Sequence, residues 1–284
     1  MSEPAWSPDD ILSEDDPYAR PTPRPFRVGG HSVLVSKDSG RKTNSRFALE
    51  SLSGRAAKGM PAFDHPAVVD GTTIYPSTVR DPEPGVLKPG NYAAKIGGKI
   101  LKGKWKGFPV FTLTLEERAT CPDSCPLFRG CYGNNMHLAK RYRHGPELER
   151  RIVIEIAQLA RKYPRGFAIR LHILGDFYSV EYVELWRQLL ARYRPLHVFG
   201  FTARWDRADP IAQALLRLAY DDWDRFAMRF SNAPVETCST INIDHAGQRP
   251  RDAVICPAQL GKTESCSTCA LCWGSERRIA FLRH

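Results

Sequence analysis

From residue 108 onward the apolar positions fall into two periods. Residues 109–115, Pro-Val-Phe-Thr-Leu-Thr-Leu, read as a strand, and residues 134–143 and 146–162 as helices. In the second helix Leu148, Ile152, Ile156 and Leu159 recur at helical spacing behind Pro146, a residue accepted at a first helical position. Strand and helix then alternate. Residues 167–174 predict a strand, 179–193 a helix capped by Ser179 with Val183, Trp186 and Leu190 inward, and 196–203 another strand. Asp209 and Pro210 open a helix carrying Ile211, Leu215 and Leu218 on one side, and 225–231 is a further strand. Connections of this length make parallel βαβ units, so the expected fold is α/β, a partial or full βα barrel with active groups at the carboxyl ends of its strands.

Strands of a parallel sheet are buried on both faces and read as nearly continuous apolar runs. Two strands here do not. Arg170 and His172 share one face opposite Ile169, Leu171 and Ile173, while Arg225, Arg229 and Ser231 lie opposite Phe226, Met228 and Phe230. This alternation implies either an interior cavity whose arginines hold an anionic, phosphorylated ligand, or edge strands with a solvated face. The run Gly-Asp-Phe-Tyr-Ser at 175–179 puts Asp176 at a strand-to-helix junction. That is a favoured place for a nucleophile, a general base or a ribose binder, and equally for a turn residue that caps the helix. Arg204 ends the next strand at the same face, so Asp176, His172 and Arg204 are the catalytic candidates.

Cysteine spacing adds the strongest chemistry. Cys121, Cys125 and Cys131 share one short loop, kept from regular structure by two prolines and Gly130, and three thiolates this close can chelate one centre. A structural zinc knuckle, three unrelated buried cysteines and a three-ligand iron–sulfur cluster with an open iron all fit. Asn134 and Asn135 follow directly, offering side-chain amides to a cofactor; Arg170 and Arg229 are the other cofactor-contact candidates. Near the C-terminus Cys266, Cys269 and Cys272 have the C-x2-C-x2-C spacing of a ferredoxin-type run, with Cys256 as a fourth ligand. Zinc is the competing occupant, since four cysteines also make a closed structural zinc site. Cys238 is left as a buried thiol or a fourth ligand of the first group.

Composition narrows the setting. With 284 residues, 42% hydrophobic and 25% charged, the chain can bury a sizeable core. No apolar run approaches the roughly 20 residues of a membrane span, and the start is acidic and Pro-rich, so a cytoplasmic protein without membrane contact is expected. Eight cysteines in a reducing compartment point to metal binding or catalysis rather than disulfides. The sequence divides into a disordered acidic tail (1–27), a small β or irregular region with a possible strand at 32–35 (28–107), the βα core (108–240) and a Cys-rich end (241–284). A net charge of +10 suits a polyanionic partner. Lys95, Lys99, Lys102, Lys104 and Lys106 interleave with Tyr92, Trp105 and Phe108, a pattern for nucleic acid or a nucleotide and equally for a solvated hairpin.

The runs Phe-Thr-Leu-Thr-Leu-Glu-Glu-Arg-Ala-Thr-Cys-Pro at 111–122, Cys-Tyr-Gly-Asn-Asn-Met at 131–136, Leu-His-Ile-Leu-Gly-Asp-Phe-Tyr-Ser at 171–179 and Val-Phe-Gly-Phe-Thr-Ala-Arg at 198–204 come before the cysteine-rich end. Over residues 91–284 this order resembles the phage and prophage "gene product eighty-eight" family. More distantly, a strand, a three-cysteine loop, a helix and βα units resemble the radical S-adenosylmethionine (SAM) enzymes. That resemblance implies a [4Fe–4S] cluster on Cys121, Cys125 and Cys131 with SAM on its open iron, and a filled auxiliary cluster near the C-terminus. The spacing C-x3-C-x5-C here differs from the usual C-x3-C-x2-C of those enzymes. The two expectations are therefore an iron–sulfur enzyme acting on a nucleotide or nucleic acid, and a zinc-stabilised nucleic-acid-binding or base-modifying protein that uses Asp176.

Overall fold

The computed structural model describes residues 65–235 and 237–282; the tail expected at 1–27 and the strand expected at 32–35 lie outside them. A short helix α1 (Pro66–Val69) and a two-residue strand β1 (Val79–Arg80) precede the main sheet. That sheet has eight strands in the order β2 (Lys88–Pro89), β3 (Val110–Thr112), β5 (Phe167–Leu171), β6 (Leu196–Thr202), β7 (Phe226–Ser231), β8 (Ser239–Ile243), β10 (Ile279–Leu282) and β9 (Val254–Ile255). Only β2 runs antiparallel to its neighbour. β4 (Arg141–Tyr142) pairs instead with β1. The architecture is thus α/β with a mostly parallel sheet, and its end strands β2 and β9 do not pair, so among the described residues the sheet is open and the expected full barrel is not closed.

Three helices cover one face. α2 (Pro146–Lys162), α3 (Val180–Arg192) and α4 (Pro210–Asp221) turn their apolar stripes inward, burying Leu148, Ile152, Ile156, Val183, Trp186, Leu190 and Leu215 against Phe167, Ile169, Val198 and Met228. Caps set where two of them begin. Ser179 Oγ accepts from the Tyr182 amide at 3.1 Å and Asp209 Oδ1 from the Ile211 amide at 2.8 Å, each worth about 1 kcal/mol. The buried Glu155 carboxylate accepts the amides of Gly85, Val86 and Leu87 at 2.6–2.8 Å, which fixes the loop entering β2.

The opposite face is covered without long helices. Val110, Ala168, Phe199 and Ala227 pack against Ile96, Ile100 and Trp105 of the lysine-rich segment, and against Ala270 and Trp273 beside the short helices α5 (Cys266–Cys269) and α6 (Leu271–Gly274). Trp105 stacks on Trp273 at 5.5 Å with an interplanar angle of 4°. β8 joins in parallel to β7 without a crossover helix, because the two overlap only at Phe230–Ser239 and Ser231–Thr240. Among the described residues no helix is long and apolar enough to cross a membrane.

Three local expectations are corrected. The helix expected at 134–143 is replaced by a tight turn at Tyr132–Asn135 and then β4, because Arg141 is drawn into a buried ion pair while its backbone pairs with β1. β5 stops at Leu171, so His172 does not share the face of Arg170; it lies on the helix side against Tyr182 and Phe177. Arg225 precedes β7 and binds the Leu190 carbonyl and Asp222.

Candidate metal centre

The loop carrying Cys121, Cys125 and Cys131 is held by buried charges that the sequence did not single out. Glu117 and Arg141 form an ion pair with both side chains 0% exposed and Nε–Oε2 at 2.5 Å. Thr73 Oγ1 donates to Glu117 at 2.7 Å, and Arg141 donates to the carbonyls of Gly133, Met136 and Ala139. Arg118, at φ +66°, donates to the carbonyls of Phe128 and Thr72 and to Asn134 Oδ1 at 2.6 Å. The loop is therefore pinned from residue 72 to residue 141. Every donor and acceptor of the ion pair is engaged, the condition under which a buried pair is tolerated.

Asp176 sits next to these thiols. It is 3% exposed, and its carboxylate accepts from Thr202 Oγ1 at 2.7 Å and from the amides of Ala203 and Phe177 at 2.7 and 2.8 Å. Gly175 makes the approach possible: at φ +82°, a Cβ there would stand 2.6 Å from both Leu115 Cβ and Thr120 Oγ1. Burial pushes the Asp176 carboxyl up to about 6, against the hydrogen bonds and the nearby Arg204 charge that pull it down. Burial, and then the Asp176 carboxylate, push the Cys121 thiol well up; burial raises Cys125 with Asp176 adding to it, and Cys131 is pushed up to about 11, again mainly by burial. Arg204 ties the region together by donating to the carbonyls of Phe177 and Thr120 and pairing with Asp209 at 2.9 Å.

So the carboxyl ends of β3, β5 and β6 bring together Cys121, Cys125, Cys131, Asp176 and Arg204. Asn134, Asn135 and His172 fall outside that grouping, as do Arg170 and Arg229. Asn134 is buried and spent on the loop itself, with Nδ2 donating to the Arg129 carbonyl at 2.8 Å, and Asn135 is exposed. His172 is held by Tyr182 Oη at 3.1 Å, and burial first, then the Arg170 charge, push it down to about 3, so it stays neutral.

Cys256, Cys266, Cys269 and Cys272 line one small cavity with Pro257, Ala258, Leu271 and Ile279. The donor set fits a thiolate-ligated centre, whereas the thiols as they stand do not enclose one: among the described residues no three Cys, His, Asp or Glu side chains are close enough to share an ion. Cys238, in the β7–β8 connection, joins neither group; its amide donates to the Glu276 carbonyl at 2.6 Å. Arg170 and Arg229 lie on this side of the sheet, away from Asp176's thiols. Arg229 is fully buried and donates to the carbonyls of Cys272 and Arg277 at 2.9 Å, and to those of Leu271, Ser275 and Ser239.

The lysine-rich segment is the lid of this second group. The Cys266 amide donates to the Lys95 carbonyl at 2.8 Å and that of Ser267 to Ile96 at 2.9 Å, a contact so close that a Cβ on Gly97 would lie 2.1 Å from Ser267 Oγ. Trp105 and Phe108 belong to this packing and are not free to stack on bases, while Tyr92 is 81% exposed and all five lysines face solvent. No family model, curated protein or solved structure matches the chain.

Proposed function

We propose that this chain is an iron–sulfur enzyme with an open three-cysteine centre on Cys121, Cys125 and Cys131 and a closed four-cysteine centre near its C-terminus. The observation that carries this reading is the position of the three-cysteine loop. It hangs over the carboxyl ends of parallel strands, where α/β folds place their chemistry, with the buried Asp176 beside Cys121 and Cys125. Three thiolates leave a fourth ligand position on a [4Fe–4S] cluster, and with SAM there the cofactor would supply radical chemistry. The protein's own share is positioning. Asp176, fixed by three hydrogen bonds, presents a carboxyl to whatever occupies that position, and Arg204 locks the β6 end against the loop. The exposed lysines at 95, 99, 102, 104 and 106 make a nucleotide or nucleic acid the preferred substrate class.

A second reading has one observation in its favour. The cavity among Cys256, Cys266, Cys269 and Cys272 is small, which suits a single structural zinc better than a cluster. The test for both is iron, zinc and acid-labile sulfide content of protein purified without air, wild type beside a Cys121→Ala/Cys125→Ala/Cys131→Ala variant. The proposal expects iron with sulfide in wild type, reduced but not abolished in the variant. Colourless wild type holding only zinc would remove it.

A further inference from the structure

Two arginines flank the four-cysteine cavity, and neither has a carboxylate within ion-pair distance among the described residues. Arg229 is solvated by five carbonyls, one of them that of Cys272, and its guanidinium lies 5.6 Å over the Trp223 ring. Among the described residues Arg170 donates only to the neighbouring Leu171 carbonyl, and it rests over the rings of Phe201 at 4.7 Å and Phe199 at 6.0 Å. Carbonyls and ring faces ease a cation but do not cancel its charge, and a guanidinium taken out of water without an anion is costly. Arg170 rests over Phe199, a ring of the cluster against which Cys266 and Cys272 pack, and Arg229 holds the Cys272 carbonyl. The charges that act on them come from the Cys266 and Cys272 thiols and Tyr132 for Arg170, and from Cys272, Cys238 and the exposed Glu276 for Arg229.

A free thiol is neutral at pH 7, so four protonated cysteines would offer these cations little charge. Four thiolates around a doubly positive centre, whether zinc or a [4Fe–4S] core, leave two negative charges. Two arginines match them. We infer that Cys256, Cys266, Cys269 and Cys272 hold a dianionic metal–thiolate centre for which Arg170 and Arg229 are the built-in counter-ions. The inference rests on the proposed metal centre in this group but not on which metal fills it.

The test is release of metal from the purified holoprotein to a strong chelator. Arg170→Met is expected to weaken metal retention about 10- to 100-fold, the usual effect of losing an outer-shell partner. Arg170→Lys keeps the charge and should retain most of it, and Arg187→Met, a surface control on α3 paired with Glu184, should match wild type. Equal retention by Arg170→Met and wild type, or equal loss by Arg170→Lys and Arg170→Met, would overturn the counter-ion role. Should Arg170→Met not fold, Phe201→Glu offers Arg170 a competing carboxylate and is expected to weaken retention where the size-matched Phe201→Gln does not; equal behaviour of that pair overturns the inference too. A holoprotein whose C-terminal cysteines carry no metal at all would instead remove the proposed centre itself.

Discussion

Burial raises the thiols of both cysteine groups, but the charges around them differ in balance. In the first group Asp176 adds to burial at Cys121 and Cys125 and Glu117 at Cys131, with Arg118 acting the other way on Cys125 and Cys131. In the second, neighbouring thiols add to burial, while Arg170 and Lys95 act the other way on Cys266 and Arg229 does so on Cys272. On the proposed reading the difference follows ligand number. Three thiolates leave a centre with less negative charge, which tolerates acidic neighbours and keeps a position for exchange, whereas four thiolates make a closed dianion that needs cations. The supports differ in the same way, since the first loop is pinned by the Glu117–Arg141 pair and the second by backbone bonds to the segment after Lys95 and to Arg229.

The largest expected effect comes from separating these supports. Glu117→Ala leaves Arg141 buried and unpaired, so urea unfolding should show a loss of about 3–5 kcal/mol. Metal in the first group should fall while the C-terminal group keeps its own; equal loss from both would mean that the two are not independently built. Asn134→Ala is next, because it removes one acceptor of the Arg118 guanidinium, the side-chain one at 2.6 Å, and hydrogen bonds to charged groups are worth about 1.5–3 kcal/mol. Asn135→Ala should be silent in the same assay, and the reverse order would return these amides to a cofactor role.

His172 sharpens the contrast from the helix side. Its folded value, pushed down to about 3 by burial first and the Arg170 charge second, lies below the unfolded value near 6.5. The unfolded chain therefore binds the extra proton, and stability present above pH 6.5 drains away as pH falls toward 3. Between pH 7 and 5 this one residue should account for about 2 kcal/mol, measured as a shallower pH dependence of urea midpoints in His172→Phe. A wild-type slope in that variant would contradict the burial account. The smallest effect is Ser179→Ala, about 1 kcal/mol from a lost cap, with metal in both groups unchanged.

The helices α2 to α4 and the parallel βαβ units they join were legible because each carries an apolar stripe at its own period, whereas the barrel expected from them is an open sheet among the described residues. The cysteine groups were legible from spacing, and Asp176 with Arg204 from position at strand ends. What stayed hidden depended on contacts far apart in sequence. Glu117, Arg118 and Arg141 carried no sequence signal for burial, yet each finds buried partners supplied by residues 72–73 or 128–139. His172 was assigned to the wrong face because period-two reasoning ran one residue past the end of β5. Trp105 and Phe108 resembled stacking platforms beside lysines, but only the tertiary fold shows them filling the space above Phe199 and His197.

The central claim is one open and one closed centre. The most direct measurement is the electron paramagnetic resonance spectrum of dithionite-reduced protein with and without added SAM, on two variants: one lacking Cys266, Cys269 and Cys272, the other lacking Cys121, Cys125 and Cys131. The account predicts an iron–sulfur signal that shifts with SAM in the first variant and one that does not move in the second. No iron–sulfur signal in either, or a shift confined to the variant without the Cys121 loop, would contradict it.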